Sequence, residues 1–406
     1  MDSVRGVAGD ARLPDTGPVW DEGGSLELPT LVGEARADVC VVGLGGSGLA
    51  AVREALARGL SVVGVDAATV AAGAAGRNGG FVLAGLAAFH HDAVAALGAE
   101  RATALYRLTL DELPAFERLT PGVVRRTGSL RIAASAEELE DCERQLERMR
   151  ADGLPAEPYS GPEGEGLLFP EDRVFDPLAR CRRLAALALE EGAALYERSP
   201  AVEVTSTAVA TPGGRVSCGA VVVAVDGGLE RLLPELAGTV RTARLQMLAT
   251  APTDELRLPR PVYRRYGYEY YQQLPDGRIA LGGFRDRGGD AEWTLDAEPT
   301  PQVQGLLERF LREELGVSAP IVPGIMPITN SSQLIRFSDA CGAEVPRWIR
   351  LRLQSFGDDT ASIKAFGHEV VAELCDQLLQ GGAPALHFYT MNQSGPVTAL
   401  CKAVGV

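Results

Sequence analysis

The segment Gly43-Leu44-Gly45-Gly46-Ser47-Gly48 constrains the fold of this chain more than any other. It follows the apolar run DVCVVG, which is typical of a buried strand, and it precedes a stretch with helical periodicity. That stretch places four apolar residues on one predicted helix face: Leu49, Val52, Leu56 and Leu60. The next apolar run, SVVGVD, ends at Asp66, 23 residues after Gly43. This order predicts a βαβ unit over residues 37–66.

The glycine segment matches G-x-G-x-x-G, the fingerprint of dinucleotide-binding βαβ units. Gly43 permits the tight turn, Gly45 lets the backbone approach a pyrophosphate at the helix N-terminus, and Gly48 allows close packing of helix on strand. Asp66 has the spacing of the acidic residue that accepts hydrogen bonds from a ribose hydroxyl. An ordinary strand-to-helix turn is the alternative, and the context of two flanking strands favours the nucleotide site.

A second glycine-rich segment, AGAAGRNGG, follows at residues 72–80 and has four glycines around Arg77. Exposed backbone amides beside a guanidinium form an anion-binding surface. A nicotinamide dehydrogenase does not need such a loop here, whereas an extended FAD has to be held along its pyrophosphate and flavin. The segment therefore favours FAD, and a flexible surface loop is the alternative.

Composition excludes several other classes of protein. The chain has 54 acidic and 39 basic residues and a net charge of -15, which disfavours nucleic acid and anionic membranes as partners. No apolar stretch approaches the roughly 20 residues of a membrane span, and the first 36 residues lack the features of a secretory signal. We therefore predict a cytoplasmic protein. Seven scattered cysteines without a C-x-x-C pair, and four histidines without metal-ligand spacing, indicate reduced thiols and no metal site.

Patterns along the remaining chain predict a mixed order of elements. Helices are expected at about 92–118, 135–152, 177–192 and 300–315, and strands at 201–207 and 215–225. Residues 241–285 are rich in strand patterns, and Pro275-Asp276-Gly277 indicates a hairpin between YGYEYYQQL and RIALGGF. After Gly316 we expect two short strands, at about 320–328 and 385–391, separated by two amphipathic helices.

Several motifs in this order resemble the D-amino-acid oxidase superfamily, specifically gamma-glutamylputrescine oxidases and related FAD-dependent amine oxidases. They are ADVCVVGLGGSGLAA, GAAGRNGGFV, the stretch 177–204, VVVAVDGG and GRIALGG, within residues of about 20–317. The resemblance implies FAD contacts by Gly43, Gly45, Gly46, Ser47 and Gly48 on the pyrophosphate, by Asp66 on the ribose, by Arg77, Asn78, Gly79 and Gly80 on the flavin side, and by the Val202 backbone on the adenine.

The same resemblance implies oxidation of an amine or amino acid by hydride transfer to flavin, with oxygen as the acceptor and an imine and hydrogen peroxide as products. The flavin carries the difficult step, so we assign no catalytic residue. Tyr266, Tyr268 and Tyr270, predicted on one strand face, are candidates for a substrate wall, with ordinary sheet packing as the alternative. Arg264, Arg265 and Arg285 are candidates for a substrate carboxylate, with surface arginines at a sheet edge as the alternative.

Residues of about 320–406 resemble a different family, the C-terminal part of methylenetetrahydrofolate reductase, which is itself an FAD-containing TIM barrel. The segments PIVPGIMPITN, FGDDTASIKAFGHEVVAEL and GGAPALHFYTMNQ carry this likeness, whereas Gln393 and Ser394-Gly395 depart from it. The glycine-rich turn similar to GGYSGHG, which ends flavoenzymes of the first family, is replaced by this segment. Two strands of a barrel leave unpaired edges. We expect 385–391 to pair beside the nucleotide-binding sheet, or the segment to be poorly ordered.

These inferences give an α/β plus α+β architecture. A Rossmann-like FAD-binding domain (37–85 and 153–235) interleaves with an antiparallel-sheet substrate domain (86–152 and 236–318). A loosely ordered lead-in (1–36) precedes them, and a βα segment resembling part of a TIM barrel (319–406) follows. The leading function is an FAD-dependent amine or amino-acid oxidoreductase. The alternatives are a folate-linked reductase, or an inactive flavin-binding fusion joined between about Gly316 and Ile321.

Overall fold

The computed structural model describes residues 18–21, 23–317, 324–341, 345–357, 359–380, 386–388 and 394–405. It divides the chain into two compact units. The first comprises Met1–Ala249 and Leu256–Leu315, and the second comprises Thr250–Glu255 and Gly316–Val406. Much of the predicted lead-in, 1–17 and residue 22, lies outside the described residues. Within its described part, Leu31 is buried and β1 already begins at Gly33, so the expectation of loose order fails for these residues.

The strands, in chain order, are β1 (Gly33–Val42), β2 (Val62–Val65), β3 (Phe81–Val82), β4 (Val124–Arg126), β5 (Ser129–Ile132), β6 (Glu157–Gly161), β7 (Gly164–Phe169), β8 (Arg173–Phe175), β9 (Ala194–Tyr196), β10 (Glu203–Val204), β11 (Ala208–Ala210), β12 (Gly214–Val223), β13 (Met247–Ala249), β14 (Val262–Arg264), β15 (Glu269–Gln273), β16 (Ile279–Gly283), β17 (Gly324–Ile325) and β18 (His387–Phe388).

The α-helices are α1 (Gly46–Ala57), α2 (His90–Leu97), α3 (Ala99–Leu119), α4 (Ala136–Ala151), α5 (Pro177–Glu190), α6 (Leu229–Leu232), α7 (Arg285–Gly288), α8 (Pro301–Glu313), α9 (Ser331–Cys341), α10 (Arg347–Ser355), α11 (Thr360–Gln380) and α12 (Ser394–Ala403). Short 3-10 turns occur at Ala74–Gly76, Pro234–Leu236, Arg265–Gly267 and Gly289–Glu292. Within the described part of the chain, no helix is both long enough and apolar enough to cross a membrane.

A six-stranded sheet in the order β10-β11-β12-β1-β2-β9 contains the predicted βαβ unit. Strand β1 pairs in parallel with β12 and β2, so both of its edges are hydrogen-bonded within the sheet. Val39 and Val41 pack in one core, whereas Cys40 and Val42 pack in the core on the opposite face. Burial on both faces explains why residues 39–42 of the strand are all apolar. Leu60 was predicted on the apolar face of the helix, but α1 ends at Ala57 and Leu60 is exposed.

A mixed seven-stranded sheet forms the other large layer of this unit, in the order β13-β16-β15-β14-β5-β7-β6. The predicted hairpin is present as β15 and β16. Strand β14 pairs in parallel with β5, and the other pairs are antiparallel. Because β6 and β7 belong to this sheet, residues 157–169 lie with the predicted substrate domain rather than with the FAD-binding domain. A third sheet, β3-β8-β4, is antiparallel.

The helices of this unit follow local stop and start signals. The single helix predicted over 92–118 is two helices, because Gly98 adopts a left-handed φ of 84° between α2 and α3. The Ser135 hydroxyl caps α4 by accepting from the Glu138 amide at 3.2 Å. Asp176 caps α5 in the same way, through the Ala179 amide at 2.8 Å. Helix α4 has a buried face that includes Cys142, Leu146 and Met149.

The second unit has its own hydrophobic core and its own small sheet. Strands β17 and β18 pair in parallel with each other. Three described helices, α9, α10 and α11, separate them, where two were predicted. The expected pairing of 385–391 with the nucleotide-binding sheet is therefore wrong for the described part, 386–388. Leu353, Ile363 and Leu400 are among the buried side chains of this core. Residues 318–321 of the predicted junction and Gln393 lie outside the described residues.

Candidate flavin site

The first glycine turn joins β1 to α1 in a conformation that requires its glycines. Gly43 has a φ of 99°, and a Cβ there would lie 2.6 Å from the Ala224 carbonyl oxygen. Its amide donates to the Val65 carbonyl oxygen at 2.8 Å, which ties the turn to β2. A Cβ on Gly48 would lie 1.8 Å from the Gly43 carbonyl oxygen, so only glycine allows the helix to pack this closely.

The start of α1 faces open space. Gly45 is the N-cap and makes no side-chain capping hydrogen bond, and the first turn contains no acidic residue. A Cβ added to Gly46 would meet no atom within 4 Å. The free amides of the first turn and the helix dipole favour a negative group at this position. Gly46 thus presents uncovered backbone, which suits a pyrophosphate.

Asp66 closes the turn from the end of β2. Its Oδ2 accepts from the Leu44 amide at 2.7 Å, and its Oδ1 accepts from the Ala68 amide at 2.9 Å. Burial raises the pKa of Asp66, and the nearby Glu197 carboxylate adds to the rise. Each carboxylate oxygen keeps a lone pair for a further donor such as a ribose hydroxyl. Glu197 escaped the sequence analysis because no motif marks it, although it is buried at the end of the adjacent strand β9.

The second glycine segment lies against the first. A Cβ on Gly45 would lie 3.0 Å from the Cβ of Ala75. The segment is held by its own side chains, because Asn78 Nδ2 donates to the Ala75 carbonyl at 2.9 Å and Asn78 Oδ1 accepts from the Gly80 amide at 3.0 Å. Arg77 Nε donates to the Ala72 carbonyl at 2.8 Å, and burial lowers the pKa of Arg77.

The far end of this segment reaches the seven-stranded sheet. Gly79 passes the ring of Tyr270 so closely that a Cβ would lie 3.3 Å from two ring carbons. Gln272 Nε2 donates to the Gly79 carbonyl, and Trp20 Nε1 donates to the Asn78 carbonyl at 3.0 Å. The second glycine segment therefore connects the first glycine turn, at Gly45, with β15, at Tyr270 and Gln272. Sequence reasoning missed Gln272 and Trp20, since neither belongs to a motif.

Three aromatic rings cover the sheet beside Gly79. Tyr263 and Tyr270 stack with ring centroids 5.9 Å apart, and Phe81 packs against both at 5.2 and 6.1 Å. A Cβ on Gly282 would lie 2.6 Å from the Tyr270 hydroxyl, so that glycine makes room for the ring. Burial raises the pKa of both tyrosines, which keeps the phenols protonated at neutral pH.

The three tyrosines predicted on one strand face do not share a strand. Tyr270 lies in β15, whereas Tyr266 lies in a 3-10 turn with φ 55° and Tyr268 ends that turn. Left-handed residues cannot continue a strand, and here the Tyr266 amide donates to Glu138 Oε1 at 2.6 Å instead. Tyr266 and Tyr268 are 48% and 37% exposed. Of the three, the structure places only Tyr270 beside the glycine segment.

The candidate arginines are occupied by other contacts. Arg264 donates to Glu314 at 3.1 Å, and Arg265 pairs with Glu269 and Asp286, each at 2.7 Å. The Arg285 guanidinium lies 5.0 Å from the centre of the Trp293 ring. Arg264 does not lie at a sheet edge, as the alternative interpretation supposed, because β14 is flanked by β15 and β5.

Val202 lies just before β10, and its amide donates to the Ala210 carbonyl at 2.9 Å. This amide is therefore used within the sheet. The adenine contact that the family resemblance implies for Val202 stays a prediction, and in this arrangement it would use the carbonyl group or the side chain.

Comparison with known proteins assigns the larger part of the chain. The family described as FAD dependent oxidoreductase, abbreviated DAO, matches residues 38–347. The chain belongs to this family. Its cofactor is FAD, and the predicted resemblance to the D-amino-acid oxidase superfamily is confirmed. The two glycine segments fit that cofactor, since Gly46 leaves the helix N-terminus open and Gly79 brings the second segment to the Tyr270 ring of the sheet.

Two solved structures of other proteins share the fold of the first unit of this chain. Glycine oxidase from Geobacillus kaustophilus is 20% identical with a TM-score of 0.52, over 68% of this chain and 78% of that chain. L-proline dehydrogenase from P. horikoshii is 18% identical with a TM-score of 0.54, over 70% and 77%. At these identities the likeness concerns the fold alone, and it confirms the predicted Rossmann-like architecture.

Methylenetetrahydrofolate reductase matches residues 307–405 and thus overlaps the end of the DAO match. A probable methylenetetrahydrofolate reductase (NADPH) of Caenorhabditis elegans is 35% identical over 102 residues, covering 24% of this chain and 15% of the relative. The 5,10-methylenetetrahydrofolate reductase of Escherichia coli strain K12 is 30% identical over 91 residues, covering 22% and 31%. This chain therefore spans less than a third of either relative, and the predicted resemblance is confirmed for this part.

Proposed function

We propose that this DAO-family protein oxidises the CH–NH bond of a small amine or amino acid, with oxygen as the final electron acceptor. The proposal rests on the line of backbone from Gly46 to Gly79, which leads from the nucleotide-binding turn to the aromatic face of the sheet. The names of the structural neighbours, a glycine oxidase and an L-proline dehydrogenase, agree with a CH–NH substrate. The six-stranded sheet serves as the FAD-binding domain, and the seven-stranded sheet serves as the substrate domain.

FAD, when bound, supplies the hydride acceptor, and the protein has to hold the substrate against it. Gly43, Gly45, Gly46, Ser47 and Gly48 would hold the pyrophosphate, Asp66 the ribose, Val202 the adenine, and Arg77 to Gly80 the flavin side. Tyr270 and its aromatic neighbours exclude water from the face next to Gly79. Because the phenols of Tyr263 and Tyr270 stay protonated, these two side chains donate hydrogen bonds and do not act as bases. A substrate that arrives as the neutral amine needs no dedicated base, and we assign none.

The test is substrate-driven reduction of the purified full chain under anaerobic conditions. We expect a visible flavin spectrum that is bleached by amino acids or amines but not by the corresponding alcohols. Readmitted oxygen should restore the spectrum and release hydrogen peroxide. A bound flavin that no amine reduces would support the inactive flavin-binding alternative, and a colourless protein would overturn FAD binding itself.

A folate-linked reductase is the other alternative. Bleaching by NADH, followed by reoxidation with methylenetetrahydrofolate and not with oxygen, would favour it. We do not propose this activity, because the chain spans only 15% and 31% of the two reductases compared above.

A further inference from the structure

A pocket of about 170 Å³ lies beside the second glycine segment. Its walls come from β4 and β8 of the third sheet, from residues 258–261 before β14, and from residues 272–274 at the end of β15. Gln272 lies in its wall and donates to the Gly79 carbonyl. Among the described residues that line the pocket, neither Tyr263 nor Tyr270 occurs, so it is separate from the aromatic face of the substrate domain.

The lining of this pocket is positively charged, although the chain as a whole is acidic. Arg125 and Arg260 lie in its walls, and none of the described lining residues is acidic. The whole chain has a net charge of -15. Two guanidinium groups in one pocket of so acidic a chain favour an anion as the ligand.

Neither guanidinium has a partner for its charge among the described residues. Arg125 and Arg260 make no ion pair there within 4.0 Å and no hydrogen bond. Arg260 is half-buried, and its Nε is buried without a hydrogen-bond partner. A buried N–H donor without an acceptor is costly, which favours a ligand that supplies one. Arg125 is exposed, so a ligand can reach the pocket from solvent.

The neutral polar side chains of the lining are already bonded within the chain. The Thr127 hydroxyl donates to the Gly128 carbonyl at 2.9 Å. Gln273 Oε1 accepts from the Leu258 amide at 3.1 Å, and its Nε2 donates to the Gly277 carbonyl at 3.3 Å. The two guanidinium groups are therefore the part of the lining with donors to spare for a ligand.

The loop that carries Arg260 is rigid. Pro259 and Pro261 flank this arginine, and a proline fixes its own φ and restricts the residue before it. The Leu130 amide donates to the Pro261 carbonyl at 2.9 Å, which ties the loop to β5. A guanidinium presented from a fixed backbone loses less conformational freedom when it binds a ligand.

The next residue after Arg125 on β4 provides a contrast. Arg126 points to the opposite face of the strand. Its Nη2 donates to the Glu171 carboxylate, and its Nε donates to the Pro170 carbonyl at 3.4 Å. Arg126 is therefore a matched control for Arg125, because it is an arginine of the same strand whose charge is paired.

We infer that this pocket binds a phosphate group, either as free phosphate or as a small phosphate monoester. A guanidinium donates two parallel N–H···O bonds to a phosphate, and a phosphate carries nearly two negative charges at neutral pH, which matches two guanidinium groups. A cavity of about 150 Å³ holds one benzene molecule. The pocket of about 170 Å³ thus has room for a phosphate with a short organic group. This site lies outside the proposed oxidation, and the inference does not depend on it.

Phosphorus NMR titrations of the full-length protein with inorganic phosphate and with methyl phosphate test the inference. We expect saturable binding to wild type that an equal concentration of acetate does not displace. Arg125→Met and Arg260→Met should each lose about 10- to 100-fold in phosphate affinity, as for a charged hydrogen bond. Arg126→Met should bind phosphate like wild type, and Arg260→Lys should recover part of the loss. Tighter binding of methyl phosphate than of inorganic phosphate would identify a monoester as the ligand, and the reverse order would identify free phosphate.

Gly46→Asp separates this pocket from the flavin site, because its negative side chain blocks the helix N-terminus that suits a pyrophosphate. Phosphate binding should persist in this variant, and its loss there would place the phosphate at the first glycine turn and overturn the inference. Absent binding by wild type, equal affinity in wild type and both methionine variants of the pocket, or an equal loss in Arg126→Met would also overturn it. Melting temperatures show whether each variant is folded, and the exposed Arg125 carries the test if Arg260→Met is not.

Discussion

Single residues of the site carry the physical constraints that decide its chemistry. Gly43 and Gly48 stand where a side chain would collide with backbone, and at Gly79 a Cβ would lie in tight contact with the Tyr270 ring. Asp66 combines two backbone hydrogen bonds with a raised pKa. Gly43, Gly45, Gly48 and Asp66 could be found from the sequence because their spacing is itself the signal. Gln272 and Trp20 could not, since neither belongs to a motif and their contacts with the second glycine segment arise only in the folded chain.

The buried Asp172 carboxyl predicts how the free energy of unfolding depends on pH. Burial raises the pKa of its carboxyl to about 6, against 3.8 in an unperturbed chain. Between these values the folded state keeps a proton that the unfolded state releases, so the free energy of unfolding falls as pH rises from about 4 to 6. Asp172→Asn should remove this fall, which amounts to at most about 3 kcal/mol for a two-unit shift.

Urea unfolding of wild type and Asp172→Asn between pH 4 and pH 7 measures the difference. Ser129→Ala is the companion variant, because loss of the hydroxyl that donates to Asp172 should raise the pKa further and move the fall to higher pH. Parallel curves for wild type and Asp172→Asn across this range would contradict the assignment.

At the scale of elements, the packing of α1 on β1 is the contact that shapes the nucleotide turn. Strand β1 was recognisable because residues 39–42 are all apolar and are buried on both faces of the strand. Strand β15 was predicted too long at its N-terminal end, because nothing in YGYEYY reveals that Tyr266 adopts a left-handed turn. That turn is fixed by α4, through Glu138 and Asp141, which are more than 120 residues away in the sequence. Local patterns do not contain such information.

Two alanine substitutions in α1 test this packing. Gly48→Ala places a Cβ 1.8 Å from the Gly43 carbonyl oxygen, so α1 must move away from β1, and we expect a loss of about 1–3 kcal/mol or more. Gly46→Ala meets open space in the same helix and should be neutral or stabilising by up to about 1 kcal/mol. Thermal unfolding followed by circular dichroism compares them. Equal melting temperatures for the two variants would show that the close approach is absent.

The whole molecule combines parts of two families in one chain. The boundary of the compact units at Leu315 and Gly316 agrees with the change in the predicted order of strands and helices after Gly316. The hypothesis of a fusion or recombined gene stays a prediction. Sequencing of the source locus across the junction would test it. The number of helices in the second unit was predicted incorrectly, because periodicity over 331–357 did not separate α9 from α10.

Because the two units have separate hydrophobic cores, we expect a substitution in one core to affect the stability of that unit alone. Leu353 is buried in the core of the second unit, and Leu130 is buried in the first. Leu353→Ala should destabilise the second unit by about 2–5 kcal/mol and leave the flavin content unchanged. Leu130→Ala should cost a similar amount and weaken flavin retention. Calorimetry together with the flavin-to-protein absorbance ratio distinguishes the two. Loss of flavin in Leu353→Ala would contradict the assignment of the cofactor to the first unit.

The most direct test of the flavin site is the FAD content of two matched glycine variants, measured from the visible spectrum and by release of the cofactor. Gly46→Asp puts a negative side chain into the open space at the first turn of α1, where it favours the helix but repels a pyrophosphate. Gly305→Asp introduces the same side chain into open space on α8. We predict that Gly46→Asp is folded and colourless while Gly305→Asp remains yellow. Full FAD occupancy in Gly46→Asp would contradict the proposed site.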